Sequence, residues 1–238
     1  MLFELMGVDK LDKVIQDWDN AAKCYSEFEA SSQYSNFCRK FIINHFKSIQ
    51  NKVILDAGCG YGEHTHILSQ KGGSVVGCDG SVEMLKLAKS KYPSYRFDNV
   101  NLLNHMPYQN NEFDIVLCNL VLMDIDPIDN VISEFYRIIK NNGVFFFSIV
   151  HPAFYNAIWE RNEQGVALSK KVSNYITHLA IQQNFWGNTM HFHRPISYYF
   201  NKISDLGFSL NNMFEPKVYE ESKIPDIPLY LFAEFIKK

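Results

Sequence analysis

Between Asn51 and Val150, short continuous apolar runs alternate with stretches of helical spacing. The runs are Val53–Ala57 (VILDA), Ser74–Asp79 (SVVGCD), Tyr95–Val100, Phe113–Asn119 (FDIVLCN) and Val144–Val150 (VFFFSIV). Such unbroken apolar character marks strands buried on both faces. Glu63–Gln70, Val82–Lys91 and Ile128–Lys140 lie between them, with apolar residues recurring at three and four. Asp79-Gly80-Ser81 supplies a turn and an N-cap for the second helix, and Asn141-Asn142-Gly143 a left-handed-tolerant stop for the third. This alternation dictates an α/β fold: a Rossmann-like, doubly wound parallel sheet with right-handed crossovers.

The flanks follow other rules. Residues 9–50 read as helical, through Leu11, Val14, Ile15, Trp18, Ala21, Ala22 and Tyr25 and then Phe37, Phe41, Ile42 and Phe46, with a break near Ala30–Ser35. Residues 151–194 are aromatic-rich and irregular, with a helical patch expected over 168–182. Pro195–Leu206 reads as a helix ending at Gly207, followed by closing strands at Phe208–Phe214 and Pro228–Phe235. No internal repeat or linker divides the chain. It is expected to form a single domain over 1–238: a helical lid (1–50), a core (51–150), a cap insertion (151–194) and a closing helix and strands (195–238).

Composition narrows the function. With 23 Lys and Arg against 26 Asp and Glu, there is no basic excess on which nucleic-acid binding could rest. The most apolar run, Val144–Val150, is far short of the roughly 20 residues of a spanning helix, and MLFELMGVDKLDK lacks the basic, apolar pattern of a leader. Five cysteines without a CxxC pair suit a reducing compartment and disfavour a zinc site. A cytoplasmic monomer or homodimer is expected, with no metal, no membrane and no nucleic-acid partner.

Asp56-Ala57-Gly58-Cys59-Gly60-Tyr61-Gly62 falls where the first buried strand gives way to a helix. Glycines there permit a tight turn and close approach of a ligand. Dinucleotide enzymes use such turns too, but Gly62 comes one place too early for GxGxxG. Asp56 would also be an awkward neighbour for a pyrophosphate. Asp79 ends the second strand, where a carboxylate can accept both hydroxyls of a ribose.

VILDAGCGYG, VVGCDGSVEMLKLAK, FDIVLCNLVLMDI and FYRIIKNNGVFFFSIVHPAF, in that order, resemble the class I S-adenosylmethionine-dependent methyltransferases of the methyltransferase type 11 or UbiE-like small-molecule group. The resemblance implies a mostly parallel sheet with a reversed last strand. It also implies S-adenosylmethionine as cofactor, S-adenosylhomocysteine as product and a small-molecule acceptor. By the same resemblance Asp56, Gly58 and Gly60 lie under the methionine end, Asp79 binds the ribose, and Gly80, Ser81 and Met84 neighbour the adenine. Asn101 and Leu102 stand where many members have an Asp and a backbone contact to adenine. Asn119 and Leu120 end the fourth strand beside the methyl donor, and Tyr25 matches an aromatic that closes over the cofactor.

For the acceptor, the sequence offers His151 and His193 as candidate catalytic bases, with Asp124, His151, Arg194 and Tyr198 as substrate contacts and His191 as a further pocket candidate. Competing readings are a methyltransferase acting on RNA or another macromolecule, a nicotinamide oxidoreductase, and a non-catalytic S-adenosylmethionine-binding protein.

Overall fold

A strand that is apolar at successive positions needs cover on both sides, and the chain supplies it. The computed structural model describes residues 2–218 and 226–238, with side chains from Lys13 onward. Two helices lead, α1 (Leu2–Ser31) and α2 (Gln33–His45), followed by β1 (Val53–Ala57), α3 (Glu63–Gln70), β2 (Ser74–Asp79), α4 (Val82–Lys91), β3 (Arg96–Asn99) and β4 (Phe113–Asn119). After a short 3-10 turn at Leu122–Asp124 come α5 (Asp129–Ile138) and β5 (Ile139–Val150). The cap then contributes β6 (Ile158–Arg161), β7 (Ala167–Lys171), β8 (Leu179–Gln183) and β9 (Thr189–His193). The chain closes with α6 (Ile196–Asp205), β10 (Phe208–Phe214) and β11 (Tyr230–Lys237).

The main sheet has the order β10-β11-β5-β4-β1-β2-β3. β1 to β5 run parallel, and β11 is antiparallel to both its neighbours. Alternate residues divide between two cores, as the two-residue strand period requires. Leu55, Val116, Phe145, Phe147 and Phe235 pack toward α5 and α6, and Ile54, Ile115, Leu117, Phe146 and Phe232 toward α2 and α3.

Three expectations need correction. The 168–182 helix does not form; that stretch contains β7 and β8. Asn162 accepts the amides of Gln164 and Val166 through its side chain, and Gly165 sits at φ +78°, so the chain turns back and β7 pairs with β6. Cross-strand partners override local spacing there. The third core helix stops at Ile138, because Ile139 is already paired with Phe113, and Asn142 takes its left-handed conformation inside an irregular start to β5. Finally, the first helix starts earlier than its periodicity suggested, at Leu2, while its end at Ser31, before Ser32 caps α2 by accepting the Ser35 amide, falls within the expected break.

α1 is anchored to the core by polar groups as well as by packing. Asp19 Oδ1 accepts the Ser81 hydroxyl at 2.6 Å and the Glu83 amide at 3.1 Å, a carboxylate at the positive end of α4. Ile15 presses on Gly80, within 3.1 Å of where a Cβ would stand. At the opposite side, His45 Nε2 meets Glu234 Oε2 at 2.6 Å and joins α2 to β11. His45, with Asn211 and Asn212, holds the Glu234 carboxyl down at about 2, and Arg137 does the same for Glu134. Both folded-state values lie below the ordinary 4.5. Their stabilisation is therefore complete above about pH 4.5 and is lost as pH falls toward 2. Urea midpoints measured from pH 6 to pH 3 should fall, with a shallower fall in Glu234→Gln; equal slopes would exclude this pair as a source of acid lability.

Candidate active site

β1 lies between β4 and β2, so the chain's winding reverses at β1 and a crevice opens beyond the carboxyl ends of these strands. Its floor is the turn after β1. Gly58, Gly60 and Gly62 all have positive φ (72°, 52° and 86°). At Gly58 a Cβ would stand 2.3 Å from Val121 Cγ2, so the residue is small because the segment after β4 crosses it. At Gly60 the only neighbour of such a Cβ is Met84 Sδ, 3.9 Å away, and a side chain would fill the crevice instead.

Asp79 organises this turn. Its Oδ2 accepts the Gly60 amide at 2.9 Å and its Oδ1 the Ser81 amide at 2.8 Å. It does not cap α4; Ser81 does, accepting the Met84 amide at 3.1 Å. Asp56 accepts the Thr65 hydroxyl at 2.7 Å. Burial pushes its carboxyl up to about 7, and Asp79 and Glu29 add to the rise. Asp79 is raised too, for the same reason.

Five carboxylates line the crevice (Glu29, Asp56, Glu63, Asp79 and Asp124), and no lysine or arginine does among the described residues. Such a lining opposes a pyrophosphate and favours a cation. His64, also in the lining, has a buried Nε2 without a hydrogen-bond partner among the described residues. The donor set thus fits S-adenosylmethionine, whose sulfonium and ammonium are positive, and does not fit a nicotinamide dinucleotide.

The remaining cofactor candidates line the same space: Gly80, Ser81, Met84, Asn101 and Leu102 on one side, Asn119, Leu120 and Tyr25 on the other. Asn101 turns its carbonyl oxygen to the Leu103 amide at 3.0 Å. Asn119 Oδ1 accepts from Ser148 Oγ at 2.6 Å and from Cys38 Sγ at 3.1 Å. Leu120 is left-handed at φ +56°, a conformation that costs a non-glycine residue about 1–3 kcal/mol and recurs at functional sites.

A second cavity of about 340 Å³, against about 130 Å³ for the crevice, lies beneath the cap. The two share Trp18, Tyr25, Leu120 and Asp124 as common wall. Burial raises the Asp124 carboxyl, with Arg194 opposing. Across this wall Trp18 and Trp186 stack at 6.3 Å, and Tyr25 meets both edge-on.

Four acceptor candidates are not in the walls of either cavity. His151 receives the Ala153 amide on Nδ1 and gives its Nε2 proton to Glu215 at 2.6 Å, tying the turn after β5. His193 binds the Tyr175 carbonyl through Nε2. Arg194 is buried, and its guanidinium clamps the carbonyls of Leu122 and Ile125 and the Asp126 carboxylate. Tyr198 stacks on Arg194. These are internal ties, and the histidine that faces the cavity is His191. Burial, with His193 and Arg194, lowers its ring to about 4. Tyr155 lies 4.9 Å from it.

Sequence reasoning missed Glu29, Tyr155, Trp159, Lys170 and Trp186. Glu29 was within reach: Ile15, Trp18, Tyr25 and Glu29 share one helical face, spaced three, seven and four apart. The cap residues carry no comparable signal.

Comparison with known proteins agrees with this geometry. A family model described as "Methyltransferase domain" matches residues 55–147. The malonyl-[acyl-carrier protein] O-methyltransferase of Hamiltonella defensa is 34% identical over 100 residues, 42% of this chain and 38% of that protein. A ubiquinone biosynthesis O-methyltransferase of Hydrogenovibrio crunogenus is 29% identical over 138 residues, 56% of this chain and 55% of its own length. The chain therefore spans about half or less of these two curated relatives. A solved structure, a putative S-adenosylmethionine-dependent methyltransferase from Listeria monocytogenes, superposes with a TM-score of 0.72 at 25% identity, covering 84% of this chain and 98% of that one. In its strand order, reversed β11, glycine turn and acidic crevice the chain is similar to the class I S-adenosylmethionine-dependent methyltransferases, and its residues 55–147 match a methyltransferase domain.

Proposed function

We propose that the chain methylates a hydroxyl oxygen of a small molecule held in the cavity beneath the cap. One observation carries the reading: the cofactor crevice and the cap cavity adjoin, with Trp18, Tyr25, Leu120 and Asp124 lining both. The cofactor supplies a methyl group activated on a sulfonium. In this reading the ribose hydroxyls are held by Asp79, whose carboxylate is fixed by two backbone amides. Gly58 and Gly60 admit the methionine end beside Asp56, and Gly80, Ser81, Met84, Asn101 and Leu102 surround the adenine. Asp124 faces both ligands. Two of the curated relatives are named O-methyltransferases, which supports oxygen as the accepting atom.

Alignment supplies most of the acceleration; orientation alone is worth about 7–11 kcal/mol. The aromatic walls also exclude water. His191 completes the chemistry by taking the hydroxyl proton as the oxygen bonds to the methyl carbon, the electron pair of the broken bond staying on sulfur. A ring held near 4 is neutral above that pH, so its nitrogen carries no added proton at neutral pH. Loss of a positioned base costs about 10²–10⁴-fold. His191→Phe should therefore lower kcat by at least about a hundredfold while the affinity for S-adenosylhomocysteine stays unchanged. The acid limb of kcat/KM should lie near 4, not near the ordinary 6.5 of histidine, given His193 and Arg194 beside the ring. An unaltered kcat in the variant would remove His191 from the mechanism.

The activity itself is tested by incubating the chain with S-adenosylmethionine and a panel of small hydroxylated molecules and following S-adenosylhomocysteine by mass spectrometry. Product formed only with RNA or protein would favour the macromolecular reading. Cofactor binding without any product would favour a binding protein.

A further inference from the structure

The cap cavity has walls of flat aromatic faces. Trp18 and Tyr25 come from α1, and Tyr155, Trp159 and Trp186 from the cap. The Trp18–Tyr25–Trp186 cluster is packed against itself, with Phe28 5.5 Å from Trp186. A wall buttressed in this way is rigid. Aromatic rings prefer offset or edge-on partners at 4.5–7 Å, so rigid flat walls select a flat ring.

Polar groups in the cavity are few and are separated by sign. Asp124, its one carboxylate among the described lining residues, belongs to the wall shared with the cofactor crevice. Lys170, the one lysine or arginine among them, belongs to β7 of the cap and is absent from the crevice lining. Its ammonium lies 4.7 Å over the Trp159 ring and gives one proton to the Phe154 carbonyl at 2.6 Å. Among the described residues no carboxylate pairs with it. Burial pulls this ammonium below its ordinary value, which is the condition of a cation without a counter-ion. Trp186 of the same wall has a buried Nε1 with no hydrogen-bond partner among the described residues. Buried donors are nearly always satisfied. A lysine ammonium without a carboxylate partner in an aromatic cavity points to an anionic oxygen acceptor on the ligand.

We infer that the acceptor is a planar aromatic acid, its ring between the aromatic walls, its anionic group at Lys170 and its reacting hydroxyl at the Asp124 wall. This rests on the methyl-transfer reading of the crevice and specifies the acceptor for it. An anion at the Lys170 end stays clear of the carboxylates of the crevice. A neutral phenol would leave the ammonium without a counter-ion, and a phenol carrying an alkylammonium would be repelled by it.

The test uses the full chain saturated with S-adenosylhomocysteine and titrates para-hydroxybenzoate, phenol and tyramine by calorimetry. Para-hydroxybenzoate should bind about ten- to a hundredfold more tightly than phenol, the worth of one charged hydrogen bond, and tyramine should bind weakest. Lys170→Met should bring para-hydroxybenzoate to the affinity of phenol and leave that of S-adenosylhomocysteine intact. Equal affinity for the acid and phenol in the unaltered chain overturns the proposal. So does full affinity in Lys170→Met, or no binding of any probe. If Lys170→Met fails to melt cooperatively, the ratio of acid to phenol in the unaltered chain decides alone. Failure of the unaltered chain to bind S-adenosylhomocysteine sinks the cofactor reading instead, and a separate titration reports it.

Discussion

Asp79→Ala should bind S-adenosylhomocysteine at least ten- to a hundredfold more weakly than the unaltered chain. The estimate is the loss of one charged hydrogen bond, about 1.5–3 kcal/mol. It is a lower bound, because the same carboxylate holds the Gly60 and Ser81 amides, and both are released when it goes. The turn that admits the methionine end would then lose the tie that keeps it beside β2. Asp79→Asn separates the two effects: its amide oxygen can still accept one backbone N–H, while its charge is gone. An intermediate affinity for Asn between Asp and Ala is expected by calorimetry. A folded Asp79→Ala chain with unchanged affinity would mean that the ribose is held elsewhere.

The second large effect is on stability. Gly58→Val puts branched carbons where Val121 Cγ2 already lies 2.3 Å from the Cβ position, at a φ of +72°. Overpacking costs about 1–3 kcal/mol, and the left-handed backbone adds about 1–2 kcal/mol for a residue with a Cβ. Their sum, about 2–5 kcal/mol, should lower Tm by roughly 4–20 °C in a chain of this size. Val121→Ala clears the overlapping methyls. Combined with Gly58→Ala, it should recover the clash part and leave the backbone part, a coupling of about 1 kcal/mol or more in a double-mutant cycle. Strict additivity would show that the crossing segment moves aside freely and that the glycine serves only its φ.

The core was legible because its signals are local. Runs such as VILDA and FDIVLCN state double burial directly, and Asp79, Gly80 and Ser81 stand together at one strand end. The acceptor side was far less so. Histidine, arginine and tyrosine bind ligands with the same atoms they use to tie loops. Nothing in HPAF says that His151 will meet Glu215, 64 residues away, nor in HRP that Arg194 will clamp the carbonyls of Leu122 and Ile125. Lys170 and Trp186 reach one cavity only through two hairpins held by cross-strand pairing, which a helical reading of 168–182 hid. Glu29 lay in plain view on the face of α1 that carries Trp18 and Tyr25, and charge alone concealed it.

The acidic lining bears on turnover as well as on recognition. Five carboxylates around one crevice hold a sulfonium more firmly than the uncharged thioether that transfer leaves behind. The attraction that draws the donor in therefore fades at the moment it has been used, and spent nucleoside departs from a site that no longer matches its charge. Added salt should narrow the gap between the two affinities, since the attraction between the sulfonium and those acids is the part that transfer removes.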